Sequence, residues 1–271
     1  MSKIEEALEK ARKLRESEPG EKGKPLLIFK KIEPVKVDNQ YVITLTKPDS
    51  PIAEEYRRLK SMLIRETTAD FLNTIMITSS VEREGKSLTS ANLAITMAQE
   101  IDHTILLVDA DLRKPMLHEY LGIDVKYGLS DYLTQDIDIS EILIKTGIGN
   151  LILLPAGHPV DNPVEVLSSE KMKALINELK HRYMDRYVII DTPPILPFAD
   201  AISLGSLVDG VVFVVMEGNA QRKSIENALN LIKDLKILGI VFNNASTENL
   251  DGHYSRYYYY NQKKKGRGKN E

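Results

Sequence analysis

The tripeptide Gly85-Lys86-Ser87 closes a loop in the stretch IMITSSVEREGKSLTSANLAITMAQ, and aspartates at 109, 111 and 191 stand at or just beyond the ends of apolar runs. These residue types can handle phosphate and a divalent cation. A glycine such as Gly85 lets backbone N–H groups approach phosphate oxygens, Lys86 can neutralise the outer phosphates of a nucleotide, and the Ser87 hydroxyl can ligate Mg²⁺. A helix starting there adds its N-terminal dipole. The stretch fits the P-loop pattern G-x-x-x-x-G-K-[ST], with Ser80 where the first glycine would stand. Gly-Lys-Ser alone arises by chance. A preceding β-type run and a following helical pattern make it a phosphate cradle.

TILLVDADLRKP places Asp109 at the end of one apolar run with Asp111 two residues on, and YVIIDTPP ends another on Asp191. Carboxylates at the carboxyl ends of parallel strands lie on the edge where such sheets bind ligands. Beside a phosphate cradle they can hold Mg²⁺ and its waters, or take a proton from a nucleophile. Each aspartate alone reads as a cap or turn residue. Three of them in a chain with a P-loop are harder to read that way.

The elements that must position these residues are legible as alternating units. Apolar runs occur at NTIMITSS, HTILLVDA, NLILLPAG, RYVIIDTPP, DGVVFVVME and LGIVFNNA, with helical patterns over 87–100, 163–182 and 220–236 between them. Continuous apolar strands separated by helices predict an α/β fold, a mostly parallel sheet of P-loop NTPase type with helices on both faces. SPIAEEYRRLKSMLIRE begins with a serine cap and a proline at the first helical position. Ahead of it, Ile4, Ala7, Leu8, Ala11 and Leu14 mark an amphipathic helix, followed by a Pro- and Gly-containing linker. The expected division is an N-terminal helix and linker over 1–49, a P-loop domain over 50–248 and a tail over 249–271.

Of the 271 residues 42% are hydrophobic and 28% charged, an ordinary globular balance, and the net charge of −3 gives no argument for nucleic acid. The lack of cysteine excludes disulfides and thiolate-held metals. No apolar run is long enough to cross a bilayer and the first residues lack a signal-peptide core, so the expected location is the cytoplasm, with the membrane reached through a partner. The tail is the anomaly: Tyr254 and then Tyr257, Tyr258, Tyr259 and Tyr260 precede a lysine-rich end, without a periodicity that would bury them.

Together the P-loop around Lys86 and Ser87, ILLVDADLRKP, VIIDTPP followed by ADA, the helix EEYRRLKSML and the tyrosine cluster resemble the bacterial tyrosine kinases (BY-kinases) of polysaccharide production and export. The matched parts lie between Pro51 and Tyr260, about three quarters of the chain. The N-terminal helix resembles that of a subgroup associated with exosortase gene clusters, where it could dock a partner or simply cover the domain.

The resemblance implies ATP and Mg²⁺ as cofactors and a catalytic set of Lys86, Asp109, Asp111 and Asp191. It implies nucleotide contacts from Ser80, Glu84, Gly85, Lys86, Ser87, Leu88, Arg113 and Asn243, and a metal site of Ser87, Asp109 and Asp191. Arg113 would help position phosphate or the neighbouring subunit. The five tail tyrosines become phosphoacceptors. Glu54, Arg57 and Lys60 take the places of an E-x-x-R-x-x-R motif that assembles a ring, usually an octamer; lysine in the last place lacks arginine's planar fork. A separate transmembrane co-polymerase-type activator and an opposing tyrosine phosphatase are implied as partners. The chain also departs from the family by carrying Glu82-Arg83 where the P-loop usually has proline-glycine.

The physics of the tail agrees with an acceptor role. From Ala245 to Tyr258 an extended chain would span ~45 Å at ~3.4 Å per residue, enough to reach a neighbour's site. The alternative is a ParA/MinD-like ATPase switch, which shares the sheet and aspartates but carries an extra lysine early in the P-loop; here position 81 is Val81 and no lysine lies between Ser79 and Glu84. A non-enzymatic scaffold phosphorylated by another kinase is the third reading.

Overall fold

The computed structural model describes residues 30–31, 37–99, 103–181 and 186–246. The expected N-terminal helix at Ile4–Leu14 and the tail tyrosines lie outside the described residues. Each apolar run of the sequence forms a strand: β2 Thr74–Ser79, β3 Thr104–Asp109, β5 Leu151–Leu154, β6 Arg186–Asp191, β7 Gly210–Met216 and β8 Ile237–Asn243. Two further strands, β1 Lys30–Lys31 and β4 Ile144–Lys145, are only two residues long, too short to leave a periodic signature. Among the described residues the strands form one eight-stranded sheet in the order β1-β4-β5-β3-β6-β2-β7-β8. Only the β4–β5 pairing is antiparallel.

The helices are α1 Ile43–Thr46, α2 Pro51–Thr68, α3 Lys86–Ala98, α4 Leu117–Leu121, α5 Leu129–Thr134, α6 Ile139–Ile142, α7 Pro163–Leu167, α8 Glu170–His181, α9 Asp200–Gly205 and α10 Arg222–Leu231. Side chains of the central strands alternate between two cores. Ile75, Ile77, Ile105, Leu107, Val212 and Val214 point into one, with the inner face of α3. Met76, Leu106, Val108, Val211 and Phe213 point into the other, with α8 and α9. Burial on both faces explains why these strands read as continuous apolar runs.

Three local features differ from the sequence reading. The helical pattern over 163–182 is broken between α7 and α8, because the Ser168 hydroxyl bonds back to the Val164 carbonyl at 2.6 Å while the Ser169 hydroxyl accepts the Met172 N–H at 3.2 Å and starts a new helix. Part of the stretch expected as linker is docked on the domain. Val42 is fully buried, and Asn92 of α3 accepts both the N–H and the hydroxyl of Thr44 while donating to the Tyr41 carbonyl. The pattern over 220–236 shortens to α10. The start of α2 follows expectation: Ser50 Oγ accepts the Ala53 N–H at 3.2 Å, with Pro51 in the first turn.

Candidate active site

Sheet register brings the site together. β3 and β6 are neighbours and Asp109 lies directly opposite Asp191. β6 also pairs with β2, with Ile77 opposite Asp191. The loop that leaves β2 therefore arrives at the edge where both aspartates end their strands. It enters α3 through Gly85, whose φ is +84°. A Cβ there would lie 2.1 Å from Asn243 Nδ2, so position 85 needs glycine both for its backbone conformation and for the approach of β8.

Glu84 and Asn243 build the loop. The Glu84 side chain is fully buried, where it accepts the Met216 N–H and the Asn219 side-chain amide, the latter at 2.8 Å. Its carbonyl accepts Asn243 Nδ2 at 3.0 Å. These bonds anchor Glu84 to the ends of β7 and β8 and supply the donors that a buried carboxylate needs. Its backbone is the part left to meet a phosphate. Arg83, exposed on the same loop, also has a left-handed φ of +64°.

Lys86 sits among carboxylates. Its Nζ lies 2.6 Å from Asp111 Oδ2 and 3.3 Å from Ser87 Oγ, and the side chain is mostly buried. Burial alone would lower the Lys86 pKa; Asp191, Asp111 and Asp109 outweigh it and hold the ammonium above its ordinary range. Asp109 is fully buried and its carboxylate accepts the N–H groups of Met116 and Leu117 at 3.2 and 3.1 Å and that of Asp111 at 3.3 Å. Burial pushes its pKa well up, and the Asp191 charge adds to this. Asp191 is also fully buried and raised by burial, against the pull of Lys86. Asp111 accepts the Lys114 N–H at 3.0 Å, which fixes the turn after β3.

One ammonium thus faces three carboxylates. Asp191 Oδ1 accepts the Ser90 hydroxyl at 3.1 Å, whereas Asp191 Oδ2 and the Ser80 hydroxyl are buried with no hydrogen-bond partner among the described residues. The Ser87 hydroxyl is near enough to Asp191 to help lower its pKa, and a carboxylate and hydroxyl so placed fit a Mg²⁺ ion or its water shell. Among the described residues no three acidic or histidine side chains converge into a closed metal cage. Mg²⁺ does not require one, because it commonly uses one or two carboxylates with waters and substrate phosphates.

Arg113 is drawn aside. Its Nε lies 3.2 Å from both oxygens of fully buried Asp200, and its guanidinium stacks 4.2 Å over the Phe198 ring. It braces the loop after β6 against the loop after β3. The ADA that follows VIIDTPP contains Asp200, and residue type and spacing assign that aspartate no role; an acid one loop away from an arginine in want of a partner was the available signal. Leu88 is part of the first turn of α3. Glu54 and Arg57 of the expected assembly motif pair with each other at 2.7 Å, Arg57 also donates to the Pro48 carbonyl at 2.6 Å, and Lys60 lies on the same helix, half-buried.

Comparisons with known proteins bear on the family. An AAA domain family profile matches residues 73–244. The tyrosine-protein kinase YwqD of Bacillus subtilis is 36% identical over 224 residues, covering 82% of this chain and 92% of that protein. The kinase domain of the Escherichia coli tyrosine kinase ETK superposes with a TM-score of 0.71 at 26% identity, over 77% of this chain and 82% of that one. The septum site-determining protein MinD of Pyrococcus horikoshii, solved with Mg-ADP, gives a TM-score of 0.55 at 25% identity, over 69% of this chain and 76% of that one. The P-loop, the paired aspartates and the extent of these matches converge: the chain belongs to the bacterial tyrosine-protein kinases.

Proposed function

We propose that the protein transfers the γ-phosphoryl group of ATP to tyrosines 254 and 257–260 of its own tail, in trans between copies. The observation that carries this reading is the in-register pair Asp109–Asp191 beside Lys86, with the Ser87 hydroxyl near enough to Asp191 to help lower its pKa. Lys86 would turn from Asp111 to the outer phosphates. Ser87 and Asp191, with Asp109 beside them, would hold Mg²⁺, which when bound neutralises charge on the transferring group. Leu88 and Gly85 would offer backbone N–H groups, and Ser80 its unpaired hydroxyl. A tyrosine oxygen attacks the γ-phosphorus, the bond to the ADP oxygen breaks, and the phenolic proton passes to the Asp109 carboxylate. Such transfer depends on positioning and charge neutralisation more than on a strong base, which suits a hydroxyl with a pKa near ~10.

The same reading supplies a setting. The family resemblance supports control of exopolysaccharide or capsule production, a ring assembled through Glu54, Arg57 and Lys60, activation by a separate transmembrane partner at the inner membrane face, and reversal by a tyrosine phosphatase. No helix among the described residues is long and apolar enough to cross a membrane.

The test is incubation of the purified chain with γ-labelled ATP and Mg²⁺ followed by mass spectrometry of the tail. Label on the tail tyrosines, reduced at least about 100-fold in Lys86→Met, is the expected result. Phosphate release without labelling would replace the kinase with a MinD-like switch, the reading favoured by the likeness to MinD; neither label nor release would leave a scaffold.

A further inference from the structure

Beside the catalytic edge lies a cluster that phosphoryl transfer leaves unused. A cavity of about 300 Å³ opens between the segment carrying Pro115 and His118, the loop 123–126 and the turn 155–159 after β5. That volume is at the small end of ligand sites, roughly 300–1,000 Å³, and suits a single aromatic side chain with a small charged group. The walls are of two kinds. Pro115 and Ile123 present apolar surface, while His118, His158 and Lys126 present groups able to donate to an anion; Asp124 is the one acid in the lining.

His158 is held in one orientation. Its Nδ1 donates to Asp131 Oδ1 at 2.8 Å and its backbone N–H to Asp131 Oδ2 at 3.2 Å. The Asp131 side chain is 1% exposed and also accepts the Gly128 N–H at 2.8 Å, which starts α5. Capping α5 needs only that last bond. The other oxygen fixes an imidazole that is itself 62% exposed and leaves Nε2 as its remaining polar atom at the cavity. A buried carboxylate holding an exposed imidazole over a basic, partly apolar cavity is the arrangement of a binding site for an aromatic anion.

Its position names the anion. Pro115 and His118 flank Met116 and Leu117, the two residues whose N–H groups hold Asp109. We infer that this cavity is a phosphotyrosine subsite: it holds a tyrosine of the tail that already carries phosphate while a neighbouring tyrosine lies at Asp109. The inference rests on the tail being the substrate. The run Tyr257–Tyr260 supplies occupants for both places within a few residues, ~3.4 Å apart along an extended chain. A phosphate of about −1.5 to −2 charges would meet the Lys126 ammonium, His118 and, with a proton on Nε2, His158, against one acid. Modification then promotes itself, and a tail with one phosphate becomes a better substrate than a tail with none.

The probe is a synthetic peptide of residues 252–261, unmodified or phosphorylated on Tyr257, titrated by fluorescence anisotropy into the full chain without ATP. The phosphopeptide should bind at least about tenfold more tightly. That preference should fall below about threefold in His158→Gln and in Lys126→Gln, both checked for unchanged thermal unfolding. In the ATP time course the ratio of multiply to singly phosphorylated tail should fall in the same variants. Equal affinity for the two peptides, or a preference that survives both substitutions, overturns the subsite. Should the tail take no label from ATP while a His158-dependent preference persists, the kinase reading fails, and with it the subsite's part in transfer, leaving only a phosphotyrosine-binding cavity; a labelled tail without any preference keeps the kinase and removes the subsite.

Discussion

Arg83 and Gly85 adopt the same left-handed backbone, with φ of +64° and +84°, yet only one of them is glycine. For a residue with a Cβ that conformation costs on the order of 1–2 kcal/mol. Arg83→Gly is therefore expected to raise the stability of the purified domain by about 0.5–1 kcal/mol in urea unfolding, part of the relief being offset by the freedom glycine adds to the unfolded chain. No gain would mean that the arginine side chain returns the strain through a contact. Gly85→Ala acts in the opposite sense, since it adds strain at φ and a collision with Asn243 Nδ2; it should lose nucleotide binding in calorimetry, with Asn243→Ala recovering part of the lost stability. At this scale the sequence was most legible. Gly85, Lys86, Ser87, Asp109 and Asp191 declare themselves because phosphate chemistry needs those types at those spacings. Glu84 did not, because its role depends on where Met216 and Asn219 end up.

Asp209 shows how one side chain ties elements together. Its Oδ2 accepts the N–H groups of Asn73 and Thr74 at 3.1 and 3.0 Å and the Thr74 hydroxyl at 2.6 Å, while Oδ1 meets Lys180 of α8 at 2.6 Å. It pins the start of β2 just before β7 begins. Burial would raise its pKa, but the Lys180 and Thr74 bonds prevail and lower it. A carboxylate with a depressed native pKa stabilises the fold above its unfolded value, ~3.9, and that stabilisation is lost as pH falls through the native value. Asp209→Asn should thus cost about 1–3 kcal/mol at pH 7, and the gap from the natural chain should be flat above about pH 5 and close on acidification. A gap that widens in acid would show that the ionised carboxylate is not the stabilising form. Five of the six longer strands were readable from burial on both faces, whereas β8 lies at the edge of the sheet with Ile240 and Phe242 exposed and was readable from its apolar run alone. β1 and β4 were not, because two residues carry no period, and the α7–α8 break was missed because serines can continue a helix or restart one.

At the scale of the whole molecule, residues 249–271 carry six basic and two acidic residues, and phosphate on five tyrosines would turn about +4 into about −4 to −6. Unmodified tails would then be compatible with assembly and modified tails would repel one another. Sedimentation before and after ATP should show a shift to smaller species, weakened at high salt by screening; an identical size distribution would remove the charge-repulsion idea. Glu54 and Arg57 pair within one chain and leave assembly to be tested rather than read from geometry. By itself the sequence determined the α/β class, the phosphate loop and the metal-type carboxylates, because strand burial and phosphate chemistry are written in residue type and local spacing. Tertiary structure alone decided that Asp109 faces Asp191, that Arg113 turns to Asp200 and that Asp131 steadies His158 over a cavity, because each joins residues whose nearness exists only after the strands have chosen their neighbours and register.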